Sequence, residues 1–332
     1  MLSDARTVTR QISLQTIREA AAVVYDAAVR TPLVRLELPP TPREREPEIF
    51  LKLETLQPIG SFKIRGAYNA IRRLTSDQLA QGVWTVSAGN AAQGVALAAR
   101  KMGASCRVLV MDTAPETKLN AIRRLGATIV QAPYEECWRT VEQHGSDRMS
   151  GHFVHPFDDD NFISGNGTIG LEIVEDLPDV DAVIAPMGGG GLLAGIACAI
   201  AELRPDARVY AAEPETAAPL AASFRAGRAV YFDGWRSSFV DGAGGKSVLE
   251  PMWPLLRERI HDSVVVSLDD VARAMRVVAD RVHVIAEGAA ACAIAAALSP
   301  VMADHGHRRI VAVVSGGNID LAKFAKLTNA CS

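Results

Sequence analysis

Lysine side chains are the first candidates for covalent chemistry in this chain, because a neutral amine attacks carbonyl groups. Lys63 follows the segment Gly60–Phe62 at the start of a predicted helix, and Arg65 is the only other charged residue within 59–67. Burial among apolar groups would lower the pKa of the Lys63 amine, whereas an ordinary loop lysine is simply exposed. Lys52, within a short predicted strand, is expected to form a surface ion pair. The remaining lysines, expected to be solvated or to lie in an ordinary loop, are Lys101, Lys118, Lys246, Lys323 and Lys326.

Four consecutive glycines separate an apolar strand from an apolar helix in the segment DAVIAPMGGGGLLAG (181–195). Glycines allow the backbone N–H groups at a helix N-terminus to approach an anion without a Cβ atom in the way. A Walker loop requires a lysine after its glycines, and no lysine or arginine follows them here. The segment therefore indicates a phosphate held by backbone amides, and a tight turn is the alternative.

The same glycines also fit a dinucleotide-binding pattern. Gly189, Gly191 and Ala194 match GxGxxA after a strand, and Glu213 lies at the end of the next predicted strand, where it would meet a ribose hydroxyl. An oxidoreductase that uses a nicotinamide dinucleotide therefore stays open as an alternative.

Two further loops rich in small polar residues follow predicted strands. SAGNAAQG (87–94) offers hydroxyl and N–H donors that could hold a carboxylate at a helix start, and SGGN (315–318) has the same form. An ordinary helix N-cap is the alternative for each loop. His152 and His155 have no carboxylates at a metal-ligand spacing, so we expect no metal there.

The elements that must position these loops alternate along the chain, which predicts a parallel α/β architecture. Ligands bind beyond the carboxyl ends of strands in such sheets, so the loops should share one cleft. The predicted strands are 49–53, 83–86, 106–111, 127–131, 181–185, 207–212, 263–267 and 309–314. The predicted helices are 14–29, 64–74, 91–102, 116–125, 136–144, 167–177, 192–203, 268–281, 287–298 and 319–327.

Composition limits the classes of protein that this chain can be. Its 332 residues predict about two domains, and a net charge of -3 gives no basic field for nucleic acid. The apolar stretches near 182–201 and 284–298 are interrupted, so we expect no membrane span, and the polar start predicts no signal peptide. We therefore expect a cytoplasmic location with reduced thiols. The five cysteines are Cys106, Cys137, Cys198, Cys292 and Cys331.

Taken together, the motifs resemble the threonine/serine dehydratase and serine racemase family of pyridoxal-phosphate enzymes, of fold type II. The resemblance runs from TPLVRL (31–36) to SGGN (315–318) and includes LKLETLQPIGSFKIRGAYNA, HPFDD (155–159), GTIGLEI (167–173) and GGGGLLAGIA. It implies two doubly wound parallel-sheet domains, with pyridoxal 5'-phosphate in the cleft between them. The larger domain would comprise 1–70 and 155–332, and the smaller one 75–152. The resemblance also implies a homodimer or homotetramer.

The resemblance implies a role for each matching residue. Lys63 would bind the cofactor covalently and act as the catalytic base, the glycines would hold its phosphate, and Ser315 would face the pyridine nitrogen. The implied cofactor-binding residues are Phe62, Lys63, Asn90, Gly188, Gly189, Gly190, Gly191, Leu192 and Ser315. The implied substrate-binding residues are Ser87, Ala88, Gly89, Asn90 and Ala91.

Four positions depart from the family pattern, and one of them is Asn166, which stands where the family has a glutamine. Ala88 stands where racemases carry a second serine, and Ala91 stands where dehydratases commonly have a histidine. Pro219 replaces an aspartate that would complete a cation site with Glu213 and a carbonyl near Ala217, so we expect no metal.

The predicted activity is elimination from L-threonine, L-serine or a related β-hydroxy amino acid, a small-molecule substrate, to give a keto acid and ammonia. The alternatives are a dehydratase of a larger substrate (3-hydroxyaspartate, phenylserine or a hydroxyectoine-derived compound), a serine racemase, and the dinucleotide-dependent oxidoreductase.

Overall fold

Two sheets, each flanked by helices, form the framework of the computed structural model, which describes residues 10–39 and 47–329. The predicted α/β architecture with parallel sheets is confirmed. Within the described residues the larger sheet has six strands, in the order β1-β2-β10-β7-β8-β9, and only β1 is antiparallel to its neighbour. Its strands are β1 (Leu33–Arg35), β2 (Glu48–Lys52), β7 (Ala182–Pro186), β8 (Arg208–Pro214), β9 (Asp262–Val266) and β10 (Arg309–Val313).

The smaller sheet has four parallel strands in the described part of the chain, in the order β5-β4-β3-β6. All of them come from the segment between the second and seventh strands, so this sheet is inserted into the larger one. Its strands are β3 (Val83–Val86), β4 (Cys106–Met111), β5 (Thr128–Ala132) and β6 (His152–Phe153). The short strands β1 and β6 were not predicted.

Helices cover both faces of the larger sheet because successive side chains on its strands alternate between two cores. Val183 packs in the core that α7 and α8 cover, and Ile184 in the core that α11 and α12 cover. The ten predicted helices are confirmed with shifted ends, and α3, α9, α10 and α13 were not predicted. The helices are α1 (Leu14–Val24), α2 (Lys63–Arg72), α3 (Ser76–Ala80), α4 (Asn90–Lys101), α5 (Glu116–Arg124), α6 (Tyr134–Gln143), α7 (Asp160–Asp176), α8 (Gly191–Leu203), α9 (Pro219–Ala226), α10 (Trp253–Arg259), α11 (Leu268–Val282), α12 (Gly288–Ala297), α13 (Pro300–Asp304) and α14 (Leu321–Asn329).

Close packing of α7 against its neighbours depends on glycine. A Cβ atom on Gly165 would lie 2.5 Å from the carbonyl oxygen of Arg65 in α2, a distance that real Cβ atoms do not reach. Gly195 of α8 approaches the Ile163 carbonyl of α7 in the same way. The position of α2, which begins at Lys63, is therefore fixed by backbone contacts.

A fully buried ionic network joins α2, α7 and β2. Arg65 donates to Glu54 at 2.8 Å and to Glu172 at 2.6 Å, and Lys52 lies 2.7 Å from Glu172. The expectation that Lys52 forms a surface pair is wrong, because β2 lies between β1 and β10 and its last side chain is covered. Two positive and two negative side chains balance one another in this interior.

Four cysteines lie in the described part of the chain, and Cys331 lies outside it. Cys106, Cys137, Cys198 and Cys292 are buried free thiols. In the same part of the chain, every helix is too short or too polar to cross a membrane.

Candidate active site

Lys63 is the first residue of α2, and its amine faces an apolar environment. Its Nζ donates to the carbonyl oxygen of Pro156 at 2.6 Å and lies 5.1 Å and 5.2 Å from the ring centres of Phe62 and Phe162. No carboxylate among the described residues forms an ion pair with it. Loss of hydration lowers the pKa of this amine to about 7, so a large fraction of it is neutral at neutral pH.

The four glycines form a turn between β7 and α8 that excludes side chains. A Cβ atom on Gly189 would overlap the ring of Phe157, and one on Gly191 would lie 2.5 Å from the Phe157 carbonyl oxygen. Gly190 has a φ of +91°, which L side chains rarely adopt. Leu192 follows in the first turn of α8 and is buried. Because Pro156 holds Lys63 and Phe157 packs on the glycines, these two neighbouring residues connect the amine to the glycine turn.

Ser315 lies just after β10, beside the loop that carries the lysine. Its carbonyl oxygen accepts a hydrogen bond from the Phe62 N–H at 3.0 Å, and Gly317 donates to the Gly60 carbonyl at 2.9 Å. Ser315 is 2% exposed. The structure therefore brings together Lys63 and Ser315, which are distant in sequence.

Asn90 begins α4, and its side chain joins the smaller sheet's helix to the larger sheet's loops. It donates to Glu287 Oε1 at 2.7 Å and accepts from Asn318 Nδ2 at 2.8 Å. Burial raises the pKa of Glu287 to about 7. Ser87 precedes this helix, and its hydroxyl accepts from the Gly89 N–H at 3.1 Å.

Sequence reasoning missed Glu287 as a member of this site, and it included Asn318 only as part of the loop SGGN (315–318). Glu287 is the one acidic residue within the apolar stretch 284–298, and it lies immediately before the first residue of α12. An isolated acid at a helix start is the signal that could have singled it out.

Comparison with known families agrees with this geometry. A family model described as "Pyridoxal-phosphate dependent enzyme" matches residues 24–316 of the chain. The chain belongs to this family. It is 37% identical over 324 residues to an L-threonine ammonia-lyase of Thermotoga maritima, across 96% of this chain and 78% of the relative. It is 40% identical over 288 residues to a catabolic L-threonine dehydratase of Escherichia coli, across 85% and 86% of the two chains.

A solved structure of maize serine racemase has the same fold. It superposes with a TM-score of 0.85 and 31% identity, covering 96% of this chain and 97% of the racemase chain. Fold type II, implied earlier by the motifs, is therefore the fold of this pyridoxal-phosphate dependent enzyme.

Pyridoxal phosphate fits the residues that the cleft presents. A depressed-pKa amine lies beside a glycine turn at a helix N-terminus, where the partial positive charge of the helix favours a phosphate. The buried hydroxyl of Ser61, two residues before Lys63, has no hydrogen-bond partner among the described residues. The cleft thus offers a covalent attachment point, an anion cradle and an unused polar group.

Glu213 does not fit a cation site or a ribose. It is fully buried, and its carboxylate accepts from the N–H groups of Leu220 and Ala221 at 2.8 Å and from the Ser263 hydroxyl at 2.6 Å. Pro219 begins α9, the helix that supplies both N–H donors. Burial nevertheless raises the pKa of Glu213 to about 7. Ala217 lies in the turn before α9, and the described residues contain no group of three metal-ligating side chains that includes Glu213.

Proposed function

We propose that this pyridoxal-phosphate dependent enzyme is an ammonia-lyase that acts on L-threonine and L-serine. The substrate loses its β-hydroxyl as water, and hydrolysis of the remaining unsaturated amine gives a 2-keto acid and ammonia. The identities of 37% and 40% to a threonine ammonia-lyase and a threonine dehydratase support this substrate class.

The observation that carries the proposal is the environment of Lys63. A base that removes the Cα proton of an amino acid works best when its pKa is near the operating pH, and burial brings the pKa of this amine to about 7. When bound, pyridoxal phosphate supplies a conjugated ring that takes up the negative charge left at Cα. The Pro156 carbonyl orients the free amine through its 2.6 Å hydrogen bond.

The other residues would bind and orient. Gly188–Gly191 and Leu192 would hold the phosphate through backbone N–H groups, while the loop Ser87–Ala91 would hold the substrate carboxylate at the start of α4. Asn90 would bind the ring hydroxyl of the cofactor. Ser315 would present a neutral hydroxyl to the pyridine nitrogen, which can donate or accept but cannot hold that nitrogen protonated as a carboxylate would.

The setting of the enzyme is also part of the proposal. We propose a homodimer or homotetramer, which the family resemblance implies. We propose a cytoplasmic location because the four described cysteines are free thiols.

The test is release of keto acid from L-threonine and L-serine by the purified holoenzyme. Lys63→Ala should lower turnover by several orders of magnitude and abolish the protein-bound visible chromophore. Lys101→Ala is the matched control, because Lys101 is an exposed lysine whose Nζ contacts only the Asp26 carbonyl among the described residues. Wild-type turnover in Lys63→Ala, or no keto acid from either amino acid, would overturn the proposal.

A further inference from the structure

A cavity of about 140 Å³ lies between the carboxyl ends of β3 and β4 and one face of α6. The α6 residues that line it, at positions 134, 137, 138 and 141, recur at the spacing of one helical face. Its apolar walls are Val86, Leu109, Met111, Cys137, Trp138 and Val141.

The lining of this cavity offers no charged partner to a ligand. The indole N–H of Trp138 already donates to Glu142 at 2.8 Å, one helical turn further along α6. Burial, with nearby carboxylates, raises the pKa of the Cys137 thiol to about 11, so the thiol is neutral. Ser87 and Tyr134 carry the hydroxyl groups of the lining, and the rest of the wall is apolar, which favours an apolar occupant.

The cavity borders the segment Ser87–Ala91, to which we assigned the substrate carboxylate above. Ser87 and Ala88 of that segment form part of the cavity wall. In an amino acid the β-carbon is two bonds from the carboxylate carbon, so a carboxylate held by this segment would place a substituent on that carbon near the shared wall. Ala91, which stands where dehydratases commonly have a histidine, is 5% exposed and does not line the cavity.

We propose that this cavity is the subsite for the β-substituent of the substrate, and that it selects β-hydroxy amino acids with an aromatic β-substituent. This inference rests on the proposed ammonia-lyase function. Apolar cavities of about 150 Å³ bind benzene, whereas the methyl group of threonine would leave most of this space empty. The Trp138 ring lies in the wall, where an aromatic ring can pack against it, and the Lys246 amine lies 4.6 Å from the ring centre of the neighbouring Tyr134.

The first measurement compares kcat/KM for L-threo-phenylserine and L-threonine with the holoenzyme. The aromatic substrate should be preferred by at least about tenfold, which is the discrimination that one apolar group supplies in a fitting cavity. L-phenylalanine and L-alanine lack the β-hydroxyl and cannot lose water, so calorimetry can compare their binding without turnover. L-phenylalanine should bind at least about tenfold more tightly.

Variants of α6 connect this preference to the cavity. Val141→Phe fills the space and should lower at least about tenfold both the kcat/KM ratio of phenylserine to threonine and the affinity ratio of L-phenylalanine to L-alanine. If Val141→Phe fails to fold, the smaller change Cys137→Leu should lower the same two ratios. Gln143→Phe is the matched control, because it adds the same ring on the same helix at an exposed position. Both ratios should then stay as in the wild type.

The outcomes separate this inference from the proposed function. If threonine is deaminated but the two pairs of ligands are not distinguished, the aromatic subsite is wrong and the ammonia-lyase function stands. If neither hydroxy amino acid is deaminated, the function is wrong, and the binding ratio with its response to Val141→Phe still decides whether the cavity takes an aromatic ring. Equal binding of L-phenylalanine and L-alanine would overturn the subsite in either case.

Discussion

The amine of the partly buried Lys63 has lost much of its hydration and donates to the carbonyl oxygen of Pro156. No carboxylate among the described residues offsets this loss by an ion pair. The neutral form of the amine is therefore stabilised relative to the charged form, and the pKa falls. A residue that sequence reasoning selected by elimination therefore also has the electrostatic environment of a nucleophile.

This environment predicts the pH dependence of Lys63 modification in protein stripped of cofactor. Because the pKa is lowered from 10.5 to about 7, half of the amine should be neutral near pH 7 rather than near pH 10.5. Acetic anhydride labelling followed by peptide mass spectrometry should give a midpoint near pH 7 for Lys63. Exposed Lys101 provides the internal reference, and the same midpoint for both lysines would contradict the assignment.

The alanine at position 88 should affect how much of the substrate undergoes elimination and how much undergoes racemisation. It lines the apolar cavity and has no proton to give to the second face of Cα. Ala88→Ser should raise the formation of D-serine relative to keto acid by about tenfold or more, because a positioned acid or base contributes at least that much. Chiral chromatography measures the ratio. Ala91→Ser, which adds a hydroxyl elsewhere in the same segment, should leave the ratio unchanged.

Among the elements, α7 matters most for the position of the lysine helix. Gly165→Ala would place a methyl group 2.5 Å from the Arg65 carbonyl oxygen, which forces α2 and α7 apart at a cost of about 1–3 kcal/mol. Thermal unfolding should show a clear loss of stability and the activity should fall with it. Gly145→Ala meets no atom within 4 Å and should be close to neutral. Equal effects at the two glycines would refute this account of the packing.

The hydrogen bonds from α9 to Glu213 lead us to expect that divalent cations contribute little to activity. Two N–H groups of α9 and the Ser263 hydroxyl already donate hydrogen bonds to the carboxylate of Glu213. Too few oxygen atoms therefore remain to coordinate a hard cation there. Exhaustive chelation should leave activity within about twofold, while Glu213→Gln should cost about 1–3 kcal/mol because an amide N–H would face N–H donors. A large loss on chelation that magnesium or calcium restores would show that a cation site exists.

At the scale of the whole molecule, the buried ionic network joins the lysine helix to the larger sheet. Glu172→Ala would leave Arg65 with Glu54 and the buried Lys52 with only the partly exposed Asp176 at 3.6 Å, which should cost about 3–5 kcal/mol of unfolding free energy. Glu175→Ala removes the same group from α7 at an exposed ion pair with Arg30 and should cost about 0–1 kcal/mol. Denaturant unfolding of the two variants provides the comparison, and similar losses would contradict the network's role.

The division of the chain at residues 70–75 and 152–155 stays a prediction. The two sheets draw their strands from 33–52 with 182–313 and from 83–153, which supports that division.

The amino-acid sequence by itself determined the alternation of helices and strands, the fold class and the loops that form the cleft. These depend on periodicity and on glycine and small polar residues at strand ends, which are local properties of the chain. The motif resemblance added the cofactor, and Lys63, the glycine turn and Ser315 do lie at one edge of the larger sheet.

Only the tertiary structure decided which distant side chains meet. Pairing of β10 with β2 brings together residues such as Glu48 and Arg309, 261 positions apart, and no local pattern encodes that choice. The burial of Lys52, the contact of Glu287 with Asn90 and the cavity under α6 all follow from such long-range packing. A side chain's type is written in the sequence, but its hydration, its partners and the space beside it are fixed only when elements far apart in the chain pack together.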